Sequence, residues 1–135
     1  MTSKDPSYLF KIAGFSGAVA VMLGALGAHA LKGLLSPDLL ASFETGVRYH
    51  LMHSILLLVL AIMVKSEMLN THRLVLASNL LIAGMLLFSG SIYLLSTRHL
   101  MNADFLKILG PITPIGGILL ISSWCLIALS FRSTK

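Results

Sequence analysis

Polar and apolar positions in this chain separate into long blocks and do not alternate at short period. Four apolar blocks, roughly residues 8–31, 47–65, 74–96 and 109–131, hold almost no ionisable side chain. Each offers about the 20 apolar residues an α-helix needs to cross a hydrocarbon core about 30 Å thick. Lipid gives backbone groups no hydrogen-bond partner, so such segments fold as helices. The pattern predicts an all-α fold: an integral membrane four-helix bundle, with 1–135 as one transmembrane domain. The first block exceeds the about 7–15 apolar residues of a cleaved signal and is read as a retained helix.

Local signals refine the ends. Ser36, Pro37 and Asp38 form a helix start, with a capping hydroxyl, a first-turn proline and an acid at the positive dipole end. A helix from there through residue 65 is about 43 Å long, more than the hydrocarbon thickness. Residues 37–46 are therefore expected to project as a short amphipathic extension, with Gly46 as its bend. Pro111 and Pro114 open the fourth block, where missing N–H groups are tolerated. In the first block Ser16, Ala20, Gly24 and Ala28 recur every fourth residue, a strip of small side chains that lets backbones approach.

Composition agrees: 56% of the 135 residues are hydrophobic and 11% charged, which excludes an ordinary soluble domain. A net charge of +5 would suggest nucleic acid in a soluble protein. Here the basic residues flank the spans and read orientation instead, so no nucleic-acid partner is expected. Lys4, Lys11, Lys65, Arg73, Arg132 and Lys135 fall on one side, and Lys32, Arg98 and Lys107 on the other, with Arg48 at the boundary. The excess predicts a multi-pass protein of the cell inner (plasma) membrane with both termini cytoplasmic. Cys125 is the only cysteine, which rules out an intramolecular disulfide, and it is expected to pack as a small side chain.

The chemistry concentrates in "GAHALKGLLSPDLLASFETGVRYHLMH", residues 27 to 53, and topology brings "SGSIY" and "GPITPIGG" to the same outer half of the bundle. Glu44 and Arg48, acid first and four apart, are expected to pair. Thr45, Tyr49 and His53 make a second stripe on that helix. The candidate ligand-binding set is His29, Glu44, Arg48, Tyr49, His53, Ser89, Ser91, Tyr93 and Thr113. His50 and His53 have the spacing to share a metal, but no HExxH motif or further acidic ligand accompanies them. A bis-histidine haem would need His29 and His53 at one depth, which their positions along the spans make awkward. Nor is there a nucleophile with an oriented base. The expectation is no catalytic residue, no metal, no cofactor and no enzyme activity.

"GALGAHALKG", "FETGVRYHLMH", "FSGSIYLL" and "LGPITPIGG", in this order and spacing, resemble the small YgdD-like inner-membrane family, which has mitochondrial relatives. The resemblance covers essentially the whole chain. It implies a four-helix integral membrane protein and, since the family is one of unknown function, assigns no functional residue.

Together these features predict a structural or accessory subunit, or one that binds a lipid or quinone at a polar site in the outer half. Arg48 and His53 suit an anionic or hydrogen-bonding head. The alternative is an oligomeric transporter or channel for a small solute or ion; against it, the inner half offers only Asn79 as an obvious polar lining. Expected partners are membrane lipid, with a quinone, a larger membrane complex or a homo-oligomer as candidates. The orientation is testable: reporters fused after Leu69 and after Lys135 should behave alike, and one after Leu35 oppositely. Labelling of a cysteine at position 69 from outside the cell would overturn the scheme.

Overall fold

A computed structural model of the chain describes residues 6–66, 69 and 71–131; three of the basic flanks, Lys4, Arg132 and Lys135, lie outside them. The four apolar blocks become four long helices, and no strand occurs among the described residues. Helix α1, Ser7–Leu26, runs directly into a π-helical turn, Gly27–Leu31. It is followed by α2, Pro37–Ser66, and α3, Thr71–Thr97. A short 3-10 helix, Asp104–Leu109, leads through Pro111 into α4, Ile112–Ala128. All four stretches are long and apolar enough to cross a membrane.

The start of α2 follows the local chemistry. Leu39 N–H reaches Ser36 Oγ at 3.4 Å, and Asp38 stands in the first turn. Gly46, however, is not a bend, because α2 runs through it unbroken. Its missing side chain makes room for α3 instead: a Cβ there would stand 3.0 Å from both Ile92 and Tyr93. Without hydrophobic drive between helices, such close approach is the main source of association in lipid.

Each helix packs on its neighbours in chain order, with α3 and α4 joined most extensively. At that seam a Cβ on Gly116 would stand 2.8 Å from Phe88 Cα, and one on Gly84 would stand 2.7 Å from Leu120 Cδ2. Ser123 donates to the carbonyl of Ala77 at 2.8 Å, and the hydroxyls of Ser91 and Thr113 are 2.7 Å apart. Arg73 donates to the carbonyl of Leu129, placing a cation at the negative end of α4. Cys125 is exposed on α4, so it does not pack inside as its composition-level reading expected.

The small-residue strip of α1 meets α2, with one change of register. Ala20 is fully buried, and a Cβ on Gly24 would lie 3.3 Å from Val47. The strip continues through Gly27, whose Cβ would meet Phe43 at 3.2 Å, while Ala28 is exposed. The π turn begins at this point and carries Gly27 and Leu31 onto the buried face. Leu31, Leu35 and Phe43 then form a small cluster that fixes the α1–α2 connector. The larger cluster, including Leu9, Leu57, Leu60, Leu74, Leu81 and Leu120, fills the bundle toward the opposite end.

Helices α1 and α3 both lie on α2 without an extensive contact of their own. The result is a lengthwise groove with α2 as its floor. A glycine series checks the packing. Gly116→Ala should abolish folded protein in mild detergent, because the new methyl collides with backbone. Gly24→Leu should lower the melting temperature strongly, since the side chain must pass Val47. Gly14→Ala, with nothing within 4 Å, should be neutral or stabilise by up to about 1 kcal/mol. Equal effects of all three would mean the helices are not held by these approaches.

Candidate functional site

The groove between α1 and α3 has a volume of about 520 Å³. Phe15, Val19 and Leu23 form one wall and Ile82, Met85 and Leu86 the other. Ser16, His50, Ser89 and Tyr93 bring its polar atoms, and Lys11 stands at one end.

Three helices build the polar network at the groove floor, with Ser54 just behind it. His50 and Ser54 are four apart on one face of α2. Ser16 comes from the buried face of α1, between Ala13 and Ala20. Tyr93 comes from α3 and lies across α2 where Gly46 leaves space, its ring centroid 5.0 Å from Phe43. The contacts are Tyr93 OH to His50 Nδ1, 3.1 Å, and His50 Nε2 to Ser16 Oγ, 2.9 Å. Ser16 Oγ is 2.7 Å from Ser54 Oγ, and Ser54 donates to the carbonyl of His50 at 2.8 Å.

The direction of this chain follows from its last bond. The Ser54 hydroxyl has His50 O at 2.8 Å, Met85 Sδ at 4.0 Å and Ser16 Oγ within reach. The carbonyl is the nearer of the two groups that only accept, and the chain is followed with the proton on it. Ser16 must then donate to Ser54, and its oxygen accepts from His50 Nε2–H. A neutral ring protonated at Nε2 leaves Nδ1 bare, so Tyr93 donates to it. His50 lies about 20 Å along α2 from Pro37 and about 24 Å from Ser66, close to mid-helix. Within a membrane span polar side chains are satisfied inside the bundle.

His53 belongs to a different cluster. Its Nδ1 donates to the Tyr49 carbonyl at 2.7 Å, so Nε2 accepts from Trp124 Nε1–H at 3.4 Å. The ring stacks on Tyr49 at 5.8 Å and meets Trp124 edge-on at 6.4 Å, while Tyr49 lies 4.7 Å from Phe88. The cluster ties α2 to α3 and α4.

The candidate set drawn from sequence therefore divides. Tyr93 joins the groove network. Tyr49 and His53 stay together but on the α3–α4 side. Ser89 lines the groove and donates to Gly46 O at 2.9 Å, while Ser91 and Thr113 bind each other at the α3–α4 seam. His29 is exposed on the π turn. The expected Glu44–Arg48 pair is not formed: both are exposed, and Arg48 reaches Thr45 Oγ1 at 3.2 Å. They edge a separate groove of about 270 Å³ beside Gly24 and Gly27. The ion pairs among the described residues lie elsewhere, with Asp104 drawing in Arg98, His99 and Lys107 at the α3–α4 connector.

Ser16, His50, Ser54 and Trp124 were absent from the sequence-derived set. The signal that could have found three of them is a histidine with a serine four residues on, inside an apolar span, facing a helix whose small strip contains a serine. Each such group needs a partner on a neighbour. No group of three or more His, Cys, Asp or Glu side chains able to hold a metal exists among the described residues.

Comparison with known proteins adds a family. The profile described as "Protein of unknown function (DUF423)" matches residues 23–117. The chain is 39% identical over 112 residues to the UPF0382 membrane protein YwdK of Bacillus subtilis, covering 83% of this chain and 85% of that one. It is 36% identical over 123 residues to the UPF0382 membrane protein SAB0533 of Staphylococcus aureus, covering 90% and 93% respectively. No solved structure matches.

Double-mutant cycles read by thermal unfolding separate the two polar groups. Ser16→Ala and Tyr93→Phe should each cost about 1–3 kcal/mol and couple non-additively, because each strands a nitrogen of His50. Glu44→Gln and Arg48→Gln should each cost under about 0.5 kcal/mol and add, as separate exposed charges do. A coupling between Glu44 and Arg48 larger than that between Ser16 and Tyr93 would reverse the assignment.

Proposed function

The chain belongs to the DUF423 family of membrane proteins, and from that premise we propose that it is a binding subunit for a quinone-type lipid, seated in the α1–α3 groove. The observation that carries this reading is an apolar groove whose polar floor is uncharged and lies near mid-helix. From Lys11 to Leu23 the groove follows α1 for about 18 Å, length enough for an apolar tail. Its side opens toward the lipid-facing surface, where Phe15 is 75% exposed, so a lipid enters sideways without crossing water.

The head follows from depth. A phosphate beside His50 would meet hydroxyls and an imidazole with no cation among them, a costly place for an ion inside a membrane span. Arg48 edges the other groove, and the cation that does line this one, Lys11, stands at its end, about 8 Å along α1 from Ser16. An aromatic ring with hydrogen-bonding oxygens is uncharged and suits hydroxyl and imidazole partners. The proposed setting is the plasma membrane with both termini cytoplasmic, in keeping with the basic flanks.

Binding is favoured over conduction by the lining beyond the network. Leu57, Leu60, Val64, Leu74 and Leu81 are buried there, and Asn79, the polar residue a path would need, is exposed. The test uses protein purified in mild detergent, with its lipids extracted and quantified. Wild-type protein should carry quinone-type lipid near one per chain. Val19→Trp, which fills the groove from its wall, should lose that lipid while melting like the parent. Equal quinone content in both proteins, or phospholipid alone in the wild type, would sink the proposal.

A further inference from the structure

We infer that the groove selects its ligand by hydrogen-bond direction, preferring a head that donates, the hydroquinone, over the carbonyl-headed quinone. This rests on the quinone-lipid reading above and names which form of that lipid the site takes.

Every hydroxyl or ring proton on the groove floor is already engaged with protein. Ser89 donates to Gly46 O, Tyr93 to His50, His50 to Ser16, and Ser16 to Ser54. Ser54, which does not line the groove, donates away from it to His50 O. What remains for a ligand is lone pairs, on Tyr93 Oη, Ser16 Oγ and Ser89 Oγ. A hydroquinone O–H finds an acceptor there without disturbing any bond. Lys11 has protons to offer, but it lies about 8 Å along α1 from Ser16, at the end of the groove.

A quinone carbonyl needs a proton from the floor, and each way of supplying one gives up a bond the network already makes. Ser16 can turn its proton from Ser54 to the carbonyl while still accepting from Nε2–H, Ser89 can turn its own from Gly46 O, or the chain can reverse. In reversal Ser54 would donate to Ser16, Ser16 to Nε2, and Nδ1–H to Tyr93, which frees the phenol proton for the carbonyl. Reversal gives up one bond, from Ser54 to His50 O, and moves the ring proton from Nε2 to Nδ1. One net hydrogen bond corresponds to about tenfold in affinity. Ser54 is thus a positioning residue: buried at 3% exposure and outside the groove, it sets the direction in which the groove residues point their protons.

The test measures binding of decyl-hydroquinone, decyl-quinone and the hydroquinone dimethyl ether to wild-type protein and Ser54→Ala in nanodiscs, with dithionite holding the reduced form. Wild type should bind the hydroquinone about tenfold more tightly than the quinone, with the ether weakest. Ser54→Ala should lose that preference, since nothing then holds the direction; a purely structural role for Ser54 would weaken all probes together. Nitrogen NMR of the unliganded wild type, which needs no variant, should show His50 protonated at Nε2. Equal or tighter quinone binding by wild type, or a ring protonated at Nδ1, overturns the inference and leaves the lipid reading standing. Failure of hydroquinone and quinone alike to bind overturns both.

Discussion

A ring with two polar nitrogens near the middle of a membrane helix must be satisfied by its neighbours, and His50 is that ring. Its partners come from both adjacent helices, Ser16 of α1 and Tyr93 of α3, so α2 becomes the element to which the others are referred. The demand reaches further than the hydrogen bonds. Tyr93 arrives at His50 only because Gly46 leaves room for its ring, and that ring is braced by Phe43. Phe43 in turn belongs to the cluster with Leu31 and Leu35 that closes the α1–α2 connector. A polar requirement near the middle of α2 thus sets packing at its end.

The α3–α4 pair obeys a different rule. There the helices approach through Gly84 and Gly116 and are pinned by hydroxyls, Ser123 to Ala77 O and Ser91 to Thr113. Such pins cost little because a serine in hydrocarbon has to find an acceptor in any case. With α2 and α3 packed together at the centre, α1 and α4 are the outer helices, α4 on α3 and α1 on α2. Helix α1 touches α2 along its small-residue strip and leaves a gap toward α3. That gap is the groove, so the space offered to a ligand follows from unequal packing.

The two buried-face histidines show how one helix can carry two kinds of polar site. His53 gives its proton to its own helix, at Tyr49 O, and accepts from Trp124, an arrangement that joins helices. His50 uses both nitrogens on other helices and stands beside open space. Only the second has an environment a ligand can enter. The hydroxyls around it admit more than one self-consistent arrangement of protons.

Much of the architecture was decided by the sequence alone, because the bilayer imposes length and composition on each span. The apolar blocks, the start at Ser36 and Pro37, and the prolines before α4 carry their reasons locally. That Ser91 of α3 and Thr113 of α4 fall near one another was also legible, because antiparallel crossing alone brings those segments together. Which of those groups meet was not. Glu44 and Arg48 have the spacing of a pair, yet exposed side chains are not forced to form one. Gly46 looked like a hinge and Ala28 like part of the strip. An approaching tyrosine and a π turn, both products of tertiary packing, gave those positions other roles. Ser16 passed as a small residue because its hydroxyl gains meaning only when His50 stands 2.9 Å away. Local rules fix what each helix is, whereas partners for buried polar atoms depend on rotation and depth, which only the packed bundle determines.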